Sequence, residues 1–199
     1  AQTTTYFCDF ENAQERSQWT LNAGPQGSRC DNQWYIGQIG DFSPNGQNGL
    51  YISSDGGKNS VYSTATQSAV VAYRELSLQQ GSYFLDFDWR ALGLQNASIV
   101  VFWVPRNVAT NSNPNGGYSS RTLEQYRLGG DTVLYGSITW QSIRMSINIT
   151  ADNADGKLVF IWSCAKNGVS PNLPAGCIDN ISIIPYNPND ECEAPALPI

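Results

Sequence analysis

Gly81-Ser-Tyr-Phe-Leu-Asp-Phe-Asp-Trp-Arg90 decides the fold class. Tyr83, Leu85, Phe87 and Trp89 fall on one face of an extended chain, and Asp86, Asp88 and Arg90 on the other. That period of two is the pattern of a strand with one face in a core and the other in water. The same pattern recurs further along, where Ile143, Met145, Ile147 and Ile149 alternate with Ser142, Arg144, Ser146 and Asn148. Ser98 to Val104 is a continuous apolar run, as expected of a strand covered on both faces. Further strands are expected at Thr5–Phe10, at Gly49–Ser53 before the turn Ser54-Asp-Gly-Gly57, at Ala69–Leu76, at Lys157–Cys164 and at Cys177–Ile184. Roughly ten strands, Gly-rich turns and no run at helical spacing predict an all-β protein, an antiparallel two-sheet jelly-roll sandwich.

Composition narrows the function. The chain has 199 residues, 11 Lys+Arg against 17 Asp+Glu, a net charge of −6 and no histidine. An acidic chain is a poor match for nucleic acid. The absence of histidine removes the Ser-His-Asp triad, the Cys-His pair and the HExxH zinc site. No stretch approaches the roughly 18 apolar residues that span a bilayer, so no membrane span is expected. Ala1 to Thr5 suit a mature terminus after signal-peptide cleavage, and the setting expected is secreted or at the cell surface. Two disulfides, Cys8–Cys30 and Cys164–Cys177, are the expected pairings in such a setting, with Cys192 left over. Buried free thiols are the competing reading.

The jelly-roll domain is expected over 1–185. The residues at 186–199 shift to Pro, Asn and acidic residues and read as a linker toward a following module. Two stretches without strand pattern, Arg106–Gly117 and Lys166–Gly176, are expected as loops. Near the first lie Trp103, Tyr118, Tyr126 and Trp140, aromatic rings suited to the apolar face of a sugar, with Arg121 and Arg127 as polar partners. Trp19, Trp34, Trp89 and Trp162 are assigned to the core. Asp86 and Asp88, two residues apart on one strand face, have a separation compatible with a glycosidase pair, about 6.5–7 Å. A salt-linked polar strip with Arg90 explains them equally, and the module is read as non-catalytic.

Phe7-Cys-Asp-Phe-Glu11, Trp19, Trp34-Tyr-Ile-Gly37, Leu50-Tyr-Ile-Ser-Ser-Asp-Gly-Gly57, Tyr73-Arg-Glu-Leu76, Gly81–Trp89 and Cys177-Ile-Asp-Asn-Ile-Ser-Ile183 occur in this order over most of the chain. Together they resemble MAM domains and the cleaved-adhesin domains of gingipain-type haemagglutinins, jelly rolls of modular bacterial surface proteins. Glu191-Cys-Glu-Ala-Pro195 is similar to the entry of a fibronectin type III module. The resemblance implies adhesion, glycan or host cell-surface protein binding, or a structural spacer between neighbouring domains of the same chain. It also implies a structural calcium, with Glu11 and Asp179 as ligands on the first and last strands. Asp41 falls where MAM domains carry Asp-His-Thr, although Phe and Ser follow it here. Asp9, on the strand face of Glu11, and Asp55 are the further candidates.

Overall fold

The computed structural model describes residues 4–43, 46–116, 120–167, 171 and 173–187, and for 39–43, 120 and 121 the backbone alone. Ten strands form in chain order: β1 (Tyr6–Cys8), β2 (Trp19–Leu21), β3 (Gln33–Ser43), β4 (Gly46–Ser53), β5 (Ser68–Ser77), β6 (Gly81–Ala91), β7 (Ala97–Pro105), β8 (Ser137–Ile149), β9 (Asp155–Cys164) and β10 (Cys177–Tyr186). They make two antiparallel sheets. One runs β3-β4-β10-β6-β8 with β1 also on β10, and the other runs β2-β5-β9-β7. The sandwich expected from period-two patterning is therefore the fold observed.

The decisive segment is β6, and its parity is as expected: Tyr83, Leu85 and Phe87 are buried between the sheets. Phe87 meets Phe160 of the opposite sheet edge to face at 5.4 Å, and Trp19 stacks on Phe160 at 6.1 Å. Trp34 is fully buried and donates its indole N–H to the Val70 carbonyl at 2.9 Å, so its polar atom is satisfied inside the core. Trp162 is likewise fully buried, and Trp89 is partly buried against the same core.

β10 carries the least regular part of the sheet. Cys177 and Ile178 pair with β4, whereas Ile181, Ser182 and Ile183 pair with β1, so β4 and β1 share one edge of β10 in succession. The register against β6 slips between Asp179 and Ser182, and Asn180 has φ 51°. This bulge adds one residue, which lets Ile178, Ile181 and Ile183 all reach the core.

The four-stranded sheet is buried on both faces. A second apolar cluster, with Val71, Val100, Phe102, Val159 and Ile161, lies on its outer side under Leu123, Tyr126 and Val108. That is why Ile99–Val104 is apolar at every position, and the loop expected at Arg106–Gly117 packs on this face over its described residues. Thr110 and Ser112 are buried there, Asn113 bridges to Ala69, and the buried Lys157 donates to the Val108 carbonyl at 2.6 Å and to Thr110 Oγ1 at 3.2 Å. The segment acts as a lid over an apolar sheet face. The short helices α1 (Ala13–Ser17) and α2 (Ser120–Leu123) have no signal at helical spacing; Asn12 caps α1 by accepting the Glu15 N–H.

The expected disulfides do not form. Cys8, Cys30, Cys164 and Cys177 are all buried free thiols. Cys164 and Cys177 belong to different sheets, which pack about 10 Å apart. Cys164 joins the main core, while Cys177 points to the outer face against Tyr51, so their side chains diverge. Cys8 and Cys30 sit in the main core, where burial pushes both thiols up to about 11. Cys192 lies outside the described residues, as do 188–199 of the expected linker.

Candidate functional site

The outer face of the larger sheet presents one row of side chains across four strands. Tyr35 of β3 is the register partner of Tyr51 of β4, Tyr51 of Cys177 of β10, and Cys177 of Arg90 of β6. Three inter-strand steps make this row roughly 14 Å long. Tyr35 and Tyr51 stack with centroids 6.0 Å apart and planes at 27°. Tyr51 is held by its hydroxyl, which donates to the Gly57 carbonyl at 2.6 Å. Gly57, at φ +89°, packs so closely that an added Cβ would come within 2.9 Å of the Tyr35 ring. At the other end, the Arg90 guanidinium lies 5.3 Å over the Trp140 ring. The pair is a cation–π contact.

Below this row lies a depression of about 410 Å³ floored by Asp86, Asp88, Ser142, Arg144 and Asn180. Its charges are matched. Arg144 donates to both Asp86 oxygens at 2.7 and 2.8 Å, while Asp88 accepts from Ser142 at 2.7 Å and from Asn180 at 2.9 Å. Asp86 and Asp88 thus form the salt-linked strip, with Arg144 of the neighbouring strand rather than Arg90 as the cation. They lie side by side on one strand and do not face each other across a cleft.

Of the residues expected to hold calcium, Asp179 lies where β10 passes from β4 to β1. It sits in the bulge, 1% exposed, and its Oδ1 accepts the Asn180 N–H at 2.8 Å. Glu11 follows β1 and turns onto β4. Its Oε1 accepts the backbone N–H groups of Gln47 and Asn48, each at 2.7 Å, and its Oε2 accepts the Asn48 side-chain amide at 2.9 Å. The Asn48 backbone N–H, with those other donors and against a small opposing effect of burial, holds the Glu11 carboxyl below its usual value. Asp9 accepts the Glu11 N–H at 3.1 Å. Arg16 donates to the carbonyls of Phe10 and Glu11, both at 2.8 Å. Calcium needs six to eight oxygens with their lone pairs turned inward. Here N–H donors take both Glu11 oxygens and a guanidinium takes the Phe10 and Glu11 carbonyls, and among the described residues no three Asp, Glu, Cys or His side chains converge on one point. Glu11 is thus committed to β4 in this arrangement. Asp41 lies in β3, with its side chain outside the described residues. Asp55 is engaged within its own turn by Ser53 and Asn59.

The aromatic candidates separate. Trp140 joins the outer-face row. Trp103 is 3% exposed in the core, its indole N–H on the Asn153 carbonyl at 3.0 Å, so it has no open ring face; this corrects its assignment as a sugar platform. Tyr126 and Arg127 border a small cavity of about 240 Å³ beside Trp103. Tyr118 lies outside the described residues, and Arg121 lies in α2 with its side chain likewise outside them. Tyr35, Tyr51 and Arg90 were missed as site residues. Their signal was parity: Tyr35 follows the core Trp34, Tyr51 lies between the core Leu50 and Ile52, and Arg90 follows Trp89.

No protein-family model matches the chain. Among solved structures, the xylan-binding CBM22-1 domain of Paenibacillus barcinonensis Xyn10C aligns with a TM-score of 0.52 at 11% identity, covering 92% of this chain and 94% of that one. The chain shares the jelly-roll fold of that domain. The CBM22-1-GH10 structure of Clostridium thermocellum Xyn10B, complexed with xylohexaose, aligns at 0.52 and 14% identity over 93% of this chain and 29% of that chain. The K1 cleaved adhesin domain of Lys-gingipain from Porphyromonas gingivalis W83 aligns at 0.48 and 16% identity over 93% of this chain and 100% of that one. The jelly roll that the sequence resemblance implies is thus found. At these identities the likeness speaks to fold alone. No helix among the described residues is long and apolar enough to cross a membrane.

Proposed function

We propose that the chain is a non-catalytic glycan-binding module acting outside the cell, and that sugar lies on the outer face of the larger sheet. Tyr35 at one end of the row, and Arg90 with Trp140 at the other, carry this reading. These three are half-buried and reach the surface, braced from beneath by the buried Tyr51 and Cys177, beside a depression lined by polar groups. Flat apolar surface with a few fixed polar groups is what a saccharide ring requires. The xylan-binding domains that share the fold support the same reading.

Affinity electrophoresis and calorimetry of the intact chain on a panel of neutral and charged polysaccharides test it. Trp140→Ala and Tyr35→Ala are each expected to weaken binding about tenfold or more while leaving the thermal midpoint within a few degrees. A wild type that binds nothing on the panel would leave the spacer reading in its place.

A further inference from the structure

Five other arginines of the described residues have oxygen partners, and Arg29 is exposed to solvent. Arg74 pairs with Glu15, Arg106 with Glu75, Arg127 with Glu124 and Arg144 with Asp86, while Arg16 binds two carbonyls. Arg90 differs. Among the described residues it joins no ion pair, and its buried Nε has no hydrogen-bond partner. Its neighbours are the Trp140 ring and the Cys177 thiol. The nearest carboxylate on its own strand face, Asp88, is already held by Ser142 and Asn180. A guanidinium offers five donors in a planar fork that matches a carboxylate. The Nε is closed to solvent beside the Cys177 thiol, so an oxygen anion from outside docks on the terminal amino groups of this half-buried guanidinium.

We propose that Arg90 receives the carboxylate of a uronic acid residue, so that the glycan recognised is an acidic one. This rests on the outer-face site proposed above. The sugar ring that bears the carboxylate lies alongside the aromatic end of the row.

The test compares matched ligands on the intact wild-type chain: oligogalacturonate against its methyl ester, and glucuronoxylan oligosaccharides against their carboxyl-reduced forms. The acids are expected to bind about tenfold or more tightly than their neutral counterparts. That advantage should shrink with added salt and vanish in Arg90→Gln. Arg90→Lys, which keeps the charge without the fork, should retain only part of it. Equal binding of acid and ester, binding of neutral glycans alone, or poly-glutamate bound as tightly as the uronate would overturn the uronate assignment and leave the glycan site standing. If no ligand of either kind binds, the site itself is wrong. The wild-type comparison does not depend on either variant folding.

Discussion

Glu11 grips Asn48 at two points, accepting its backbone N–H at 2.7 Å and its side-chain amide at 2.9 Å. The residue that follows the first strand thereby ties down β4, with which the first strand does not pair. Glu11→Gln keeps the shape but replaces a carboxylate acceptor with a neutral amide. Hydrogen bonds to charged groups are worth more than neutral ones, and the exposure of this site discounts the difference to about 1 kcal/mol. The thermal midpoint should fall by about 2–4 °C, and by the same amount in calcium and in excess chelator. A loss confined to the calcium sample would show that a metal, rather than the β4 amides, is the partner of Glu11.

Acid should weaken the fold through identifiable carboxylates. Ser53 and Asn59 hold Asp55 down to about 2, and the β4 donors, led by the Asn48 N–H, lower Glu11. Burial works to raise Glu15, but hydrogen bonds from Arg74 and Tyr6 outweigh it, and the net direction is down. Each depressed group contributes stability that is complete above its unfolded pKa and is lost as pH falls through its folded one. Urea midpoints should therefore be flat above about pH 5 and decline toward pH 2. In Asp55→Asn the decline below pH 4 should be shallower than in wild type, and identical curves would refute the assignment.

The thiols offer a direct check on the cysteine state. Cys8, Cys30, Cys164 and Cys177 should resist alkylation in the folded protein and react once denaturant is added, because burial hides them and raises their pKa. Dithiothreitol should leave the thermal midpoint unchanged. An intact mass lower by four hydrogens than the fully reduced chain would mean that both disulfides exist.

Lys157 is buried on the outer side of the smaller sheet, and burial lowers its pKa despite Glu75 nearby. Lys157→Met would leave the Val108 carbonyl without its donor, a loss of about 1–3 kcal/mol. Hydrogen exchange should accelerate at 106–112 before it does in β5 or β9. Uniform acceleration would mean that the segment is not a separate lid.

The sequence reported the fold through parity, which depends only on which side chains need to leave water. β6 and β8 each have one wet face, so their alternation was plain. β7 read correctly as covered on both sides, but what covers it could not be read, since the lid at 106–116 is polar and Pro/Asn-rich in the manner of any exposed loop. Trp103 misled for a related reason. A tryptophan next to a loop carries no mark of depth, and only the close approach of Gly156, where an added Cβ would come within 2.4 Å of its ring, shows how tightly it is enclosed. Cysteine spacing in the chain likewise carried no information about which sheet each would join. The outer-face row needed register across four strands, and pairing between β10 and its neighbours is set by contacts distant in sequence.

The position of β10 bears on when this molecule can fold. The last of the described strands in chain order, it separates β4 from β6 and also receives β1, so the larger sheet cannot be assembled from successive segments in order. Until it arrives, two strand pairs expose edges of unpaired N–H and C=O groups with nothing between them, and a chain halted before residue 177 should persist as an aggregation-prone intermediate rather than a smaller native domain.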